Sequence, residues 1–215
     1  MSGADAKLAA AVLKPAVEWV RGQIRRDRDN RYSLVRDWTL PAVVCSFWPD
    51  SLAGWQTPLF RISRLGNGAV SITVRAYQSS AEDNICDGAT LSPDTIPGIV
   101  PAALFHDPWY YTAPGDKQKQ YELLAAEIGQ PASVLRQFGD ALFYSIARAG
   151  GCPRVVAWMY YIGIRVGYPI VKPFIAAFLA ASLAVGCAGC VSPGDDGTFL
   201  DPGDYQPPAW EQVAP

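Results

Sequence analysis

Residues 87–111 read DGATLSPDTIPGIVPAALFHDPWYY. A Pro/Gly-rich loop runs into an apolar segment that carries His106, the single histidine of a 215-residue chain, with Asp107 directly after it. The segment from Pro101 onward reads as a helix, because proline fits the first turn. On such a helix His106 and Tyr110 share a face at i and i+4, while Asp107 points about a quarter-turn away. An imidazole held in one tautomer by a carboxylate takes a proton from water near neutral pH. A carboxylate aimed elsewhere holds a hard cation such as calcium, which also accepts backbone carbonyls. Asp87-Gly88 offers a loop of that kind with a second carboxylate, although the pair by itself is only a turn signal. Asp140, in QFGDALFYSIARAG, is expected on a later helix that packs antiparallel and reaches the imidazole. Water, base, orienting acid and oxygen-lined cation site are the parts of metal-assisted ester hydrolysis.

Upstream of this stretch the pattern predicts one helix and then strands. Residues 5–28, within an N-terminal unit 1–30, repeat Leu8, Ala11, Val12, Ala16, Trp19, Val20 and Ile24 at helical spacing and end in the charged run RRDRD. Pro15 should kink or split that helix. It reads as a surface helix packed on the domain, with a membrane- or partner-docking arm as the rival reading. Over 31–80, YSLVRDWTL, AVVCSFW, PLFRISRL and AVSITVRAY read as short strands. Phe60 and Ile62, then Val70, Ile72 and Val74, alternate with polar residues on either side of Gly66-Asn67-Gly68, which predicts a hairpin.

Downstream the period becomes helical. KQKQYELLAAEIG, SVLRQFGDALFYSIARAGG and CPRVVAWMYYIGIRVGYP follow the His106 segment, and Gly129, Gly150 and Gly151 mark their ends. Tyr110, Tyr111, Trp158, Tyr160 and Tyr161 are expected in the core rather than on lipid, although an aromatic-rich surface beside an active site would suit a bilayer interface. Within 170–191, the uncharged run FIAAFLAASLAVGCAGCV at 174–191 fits a membrane helix of low hydrophobicity and a buried core helix equally well. A span there would put the main domain on the cytoplasmic side. The tail 192–215 is acidic and Pro-rich and reads as extended, ordered only against a partner.

Bulk composition narrows the classes. A net charge of −2 gives no electrostatic case for nucleic acid. Half of the residues are hydrophobic, which is enough for a packed core. The 5 cysteines lack a framework spacing, so no disulfide scaffold is expected. Cys187 and Cys190 have redox spacing without the surrounding strand–helix pattern, so packing or lipidation competes with redox use. The opening residues lack the basic start and clean apolar stretch of a secretory signal, so none is expected.

The motif order resembles the phospholipase A2 enzymes, toward their bacterial and fungal branch. DGAT at 87–90, PAALFHD at 101–107, HDPWY at 106–110, DALF at 140–143 and AWMYYIGIRVG at 157–167 fall in that family's sequence of pieces. The resemblance implies His106 as general base, Asp140 as the residue orienting it, and Asp107 and Asp87 as calcium ligands. It also implies an oxyanion stabilised by the cation and a loop N–H. Two cysteines of the family pattern stand here as Ala89 and Ala103, as expected if one disulfide was dispensed with in a reducing compartment. Pro108 should make the helix either start near Phe105 or kink at the site. The same segment resembles a phage and prophage domain of unknown function with Asp-Gly-Ala-Ser and His-Asp-x-x-Tyr patterns, a resemblance that extends to the strands at 31–80.

The expected architecture is α+β: an N-terminal helix and β-hairpin region, a three-helix phospholipase A2-like core over 81–169, and a C-terminal apolar helix. The expected function is hydrolysis of membrane phospholipid esters with calcium by a phage-type protein, in the virion or at the host membrane. The alternative is a non-catalytic virion or membrane-associated structural protein in which His106 is a buried, hydrogen-bonded histidine. In that case the tail 192–215 would dock on virion proteins.

Overall fold

The computed structural model describes residues 3–26, 31–43, 56–64, 70–79, 85–86 and 96–166. The chain is α+β, with helices and two small antiparallel sheets. Helix α1 spans Gly3–Arg21 and is continuous through Pro15. It therefore neither splits nor reaches residue 28. Leu13, Ala16, Val17 and Val20 form its buried stripe. Burial of that stripe offsets the roughly 3 kcal/mol that an interior proline costs a helix. After Gly22 the described part of the charged run, Arg25 and Arg26, is strand. Ile24–Arg26 forms strand β1, paired antiparallel with β2 (Tyr32–Leu34), with Ile24 opposite Leu34. Helical spacing in Ile24 was a coincidence of composition, overridden by this pairing.

The second sheet has the order β3-β5-β4, with β3 Trp38–Val43, β4 Phe60–Arg64 and β5 Val70–Val74. β4 and β5 pair in the register Phe60↔Val74 and Ile62↔Ile72, the hairpin pairing that the alternation predicts. The turn residues Gly66-Asn67-Gly68 lie outside the described residues. Trp38, Leu40, Phe60, Ile62, Val70, Ile72 and Val74 are all buried on the core side. Away from them, the Thr39 and Thr73 hydroxyls, directly opposite across β3 and β5, lie 2.9 Å apart.

Four helices follow: α2 Ile99–Tyr110, α3 Gln120–Glu127, α4 Ala132–Ala149 and α5 Arg154–Val166. α2 packs against α4, which also carries α1, α3 and α5. α2 begins at Ile99, not near Phe105, so Pro101 falls in the first turn, where a helix N–H has no partner in any case. The start of α2 and the end of α4 meet backbone to backbone. Gly98 has φ +83°, and a Cβ there would lie 2.3 Å from the Ala147 carbonyl. A Cβ on Gly150 would lie 2.4 Å from the Gly98 Cα.

Among the described residues no helix is long and apolar enough to cross a membrane. The apolar run 174–191, the Cys187/Cys190 pair and the tail 192–215 lie outside them. Cys86 and Cys152 are buried and neither forms a disulfide.

Candidate active site between three helices

The sheet seats α2, and α2 then aims the site. Phe60 on β4 meets Phe105 edge-on at 5.8 Å and Trp109 edge-on at 5.1 Å, and the latter two stack at 5.6 Å. With those rings turned to the sheet, the adjacent positions His106 and Tyr110 face α4. The approach of α4 depends on Gly139: a Cβ there would lie 2.4 Å from Trp109 Cδ1. The indole lies in that gap and donates to the Leu135 carbonyl at 3.1 Å. Asp140, the next residue, is thereby brought against α2.

His106 Nε2 lies 3.4 Å from Asp140 Oδ1, and Nδ1 lies 3.3 Å from Asp107 Oδ1. The Nε2 contact is a charge contact longer than a conventional hydrogen bond, and the atom has no closer partner. Asp140 is fully enclosed (0 % exposed), against 11 % for His106 and 26 % for Asp107. Tyr110 donates its hydroxyl to Asp140 Oδ1 at 2.6 Å, and its ring lies tilted against the imidazole with centroids 4.5 Å apart. Arg165 Nη1, from α5, lies 3.6 Å from Asp140 Oδ2. Three helices thus supply one buried carboxylate with an imidazole, a phenol and a guanidinium.

The electrostatics follow from this enclosure. Burial is the largest single influence on His106 and pulls its pKa down. Hydrogen bonding and charge from Asp107 and Asp140 together outweigh it, so the imidazole ends above its ordinary 6.5. The Tyr110 hydroxyl is pushed well above its usual range, first by burial and then by its bond to Asp140.

Asp107 departs from expectation. Rather than aiming at a separate spot, its carboxylate folds back onto Nδ1 of the adjacent imidazole. Pro108 departs too. It sits in the last turn of a helix that runs on to Tyr110, and its missing N–H deprives the Leu104 carbonyl of its helical donor. The Tyr77 hydroxyl supplies a replacement at 3.3 Å. That hydroxyl is pushed up first by burial and then by Cys86 and Asp107, so the residue preceding Asp87 and the residue following His106 act on one phenol.

Asp87 itself lies outside the described residues. Among those described, no group of three or more His, Cys, Asp or Glu side chains is arranged to hold a metal ion. Calcium takes about six to eight oxygens. Asp107 fits as one anionic donor, partly exposed and beside the imidazole.

No protein-family model, curated protein or solved structure matches this chain. The functional reading therefore rests on these side chains. Sequence reasoning missed three of the residues that build the site: Arg165, Gly139 and Tyr77. Arg165 had a signal, a lone charge in the apolar helix YYIGIRV. Gly139 and Tyr77 had none, because their roles arise only when α2 meets α4 and the segment after β5. Trp158 was expected in the core and is instead 56 % exposed, whereas Tyr160 is buried.

Proposed function

We propose that this chain is a phage-type protein with a phospholipase A2-like site that hydrolyses membrane phospholipid esters, in the virion or at the host membrane. In this reading α2, α4 and α5 are the three-helix core and α3 is an addition to it. The observation that carries it is the His106–Asp140 contact: a lone imidazole whose buried nitrogen faces an enclosed carboxylate at 3.4 Å. An Nε2–H directed at Asp140 leaves Nδ1 as the basic nitrogen, on the more open side beside Asp107. His106 would take the proton of an attacking water there once the Asp107 carboxylate turns away from Nδ1. Asp140, itself held by Tyr110 and Arg165, would keep the ring oriented and stabilise the imidazolium that forms. Such contacts are often long in a resting site and shorten with substrate. Calcium belongs to the proposal with Asp107 and Asp87 as its ligands; when bound it would polarise the ester carbonyl and stabilise the oxyanion.

The test is fatty-acid release from phospholipid. The wild-type chain should release it in calcium, lose activity with a chelator, and lose it with His106→Ala. Equal release with and without chelator, and in His106→Ala, would end the catalytic claim.

A second reading is favoured by a different observation: both imidazole nitrogens already face carboxylates. A non-catalytic virion or membrane-associated structural protein would use that arrangement as a buried joint between α2 and α4. His106→Ala would then lower thermal stability and abolish nothing else. Deletion of 192–215 would block incorporation into particles if that tail docks on virion proteins.

A further inference from the structure

Helix α5 turns an unusual face outward. Arg154, Val155, Trp158, Tyr161, Ile162 and Arg165 fall within an arc of about 120° at about 100° per residue. The opposite side, with Val156, Ala157 and Tyr160, is buried. Val155 and Trp158 are each 56 % exposed, more than half open for an apolar residue and an indole. The Arg165 guanidinium lies 5.9 Å from the centre of the Tyr161 ring. Over 130–166 the basic residues are Arg136, Arg148, Arg154 and Arg165, and the one acidic residue is Asp140. Because Asp140 is enclosed, the helical hairpin α4–α5 shows only positive charge at its surface, on a chain whose net charge is −2.

We propose that this face of α5 docks on an anionic phospholipid surface; the choice of lipid as partner rests on the phospholipid-directed reading of the site. The pattern matches the chemistry of a headgroup layer. Trp and Tyr rings settle at the boundary between headgroups and acyl chains, and arginine stems lie along apolar surface while the guanidinium meets phosphate. An acidic peptide would match the arginines but would leave Val155, Trp158 and Ile162 without a purpose. Arg165 makes the face continuous with the site, since it lies on the same side of the helix as Trp158, two turns further on, and reaches Asp140 Oδ2 at 3.6 Å. A lipid surface held on α5 therefore lies beside the helix that closes the imidazole's surroundings.

Co-sedimentation of the full chain with vesicles of phosphatidylglycerol or of phosphatidylcholine tests this. Binding to the anionic vesicles should be stronger and should weaken with salt. Trp158→Ser and Arg154→Glu should each weaken it roughly fivefold or more. Val35→Ser, at an exposed valine outside α5, and His106→Ala should leave it unchanged. Wild-type binding by both α5 variants, or equal affinity for the two vesicles, would overturn the proposal. So would R154E-sensitive binding of a synthetic peptide of residues 192–215 with no vesicle binding, which would assign the face to an acidic peptide. Hydrolysis of a dispersed short-chain ester is read in parallel. Lost vesicle discrimination with that hydrolysis retained defeats the docking surface alone. Absent hydrolysis with Trp158-dependent binding defeats the catalytic reading alone.

Discussion

Trp109 of α2 fills the space that Gly139 of α4 leaves open, and Asp140 follows Gly139 directly. The packing of one indole on one bare α-carbon thus sets the distance between the imidazole and its carboxylate. Gly139→Ala places a methyl 2.4 Å from Trp109 Cδ1. Gain of helix propensity at that position is worth about 1 kcal/mol, and overpacking costs about 1–3 kcal/mol. The expected net result is a chain that is no more stable in urea titration, with a shifted His106 proton resonance. Unchanged resonance together with raised stability would show that the two helices do not depend on this gap.

The Tyr77–Leu104 bond is a replacement for the helix bond that Pro108 cannot make. Tyr77→Phe leaves a buried carbonyl unsatisfied and should cost about 1–3 kcal/mol. Tyr77→Phe with Pro108→Ala restores an N–H at 108 and should recover a large part of that loss. A double-mutant cycle in denaturant reads the coupling; strict additivity would mean the two groups do not serve the same acceptor.

A single histidine makes its titration unambiguous by proton NMR. His106 should titrate above 6.5, and Asp107→Asn should bring it down by removing the charge that favours the imidazolium. The folded-state value is raised, so the stabilisation is complete below the unfolded value near 6.5 and is lost as pH rises through the folded one. Under the catalytic reading the base is the neutral form, so kcat/KM should rise through the same folded-state pKa, on the alkaline side of 6.5. Calcium bound at Asp107 should lower that pKa, and a chelator should restore it.

Asp140→Asn keeps the shape of the enclosed side chain and removes its charge. It leaves Arg165 without its countercharge and His106 Nε2 without its carboxylate. A loss of activity on the order of 10²–10⁴-fold is expected under the catalytic reading, with a lowered His106 pKa in either reading. An unmoved His106 pKa would show that the 3.4 Å contact carries no charge coupling.

The fold was legible where periodicity was long or strict. The alternation at Phe60/Ile62 and Val70/Ile72/Val74 and the helices after residue 98 follow from spacing and from glycines at their ends. The end of α1 was not legible, because Ile24 fits a helical stripe and a strand equally until Leu34 arrives opposite it. At the site, the spacing of His106 and Tyr110 placed both on one face, and an antiparallel α4 brought Asp140 to them. The direction of Asp107 was not readable, since a carboxylate one residue from an imidazole can fold back onto it whatever its helical angle. Trp158 was read as core because aromatic residues usually are; the identity of its neighbour Arg154, one turn earlier, carried the contrary signal.

The contact between Gly98 and Gly150 is a joint made of main chain alone. A side chain that grows at one position can often be accommodated by trimming its neighbour, but here neither partner has anything to trim. Drift at either residue would lift the first turn of α2 from α4. The angular phase of everything later in α2 is inherited from that first turn. The aim of the imidazole is therefore fixed two helical turns before the residue that bears it.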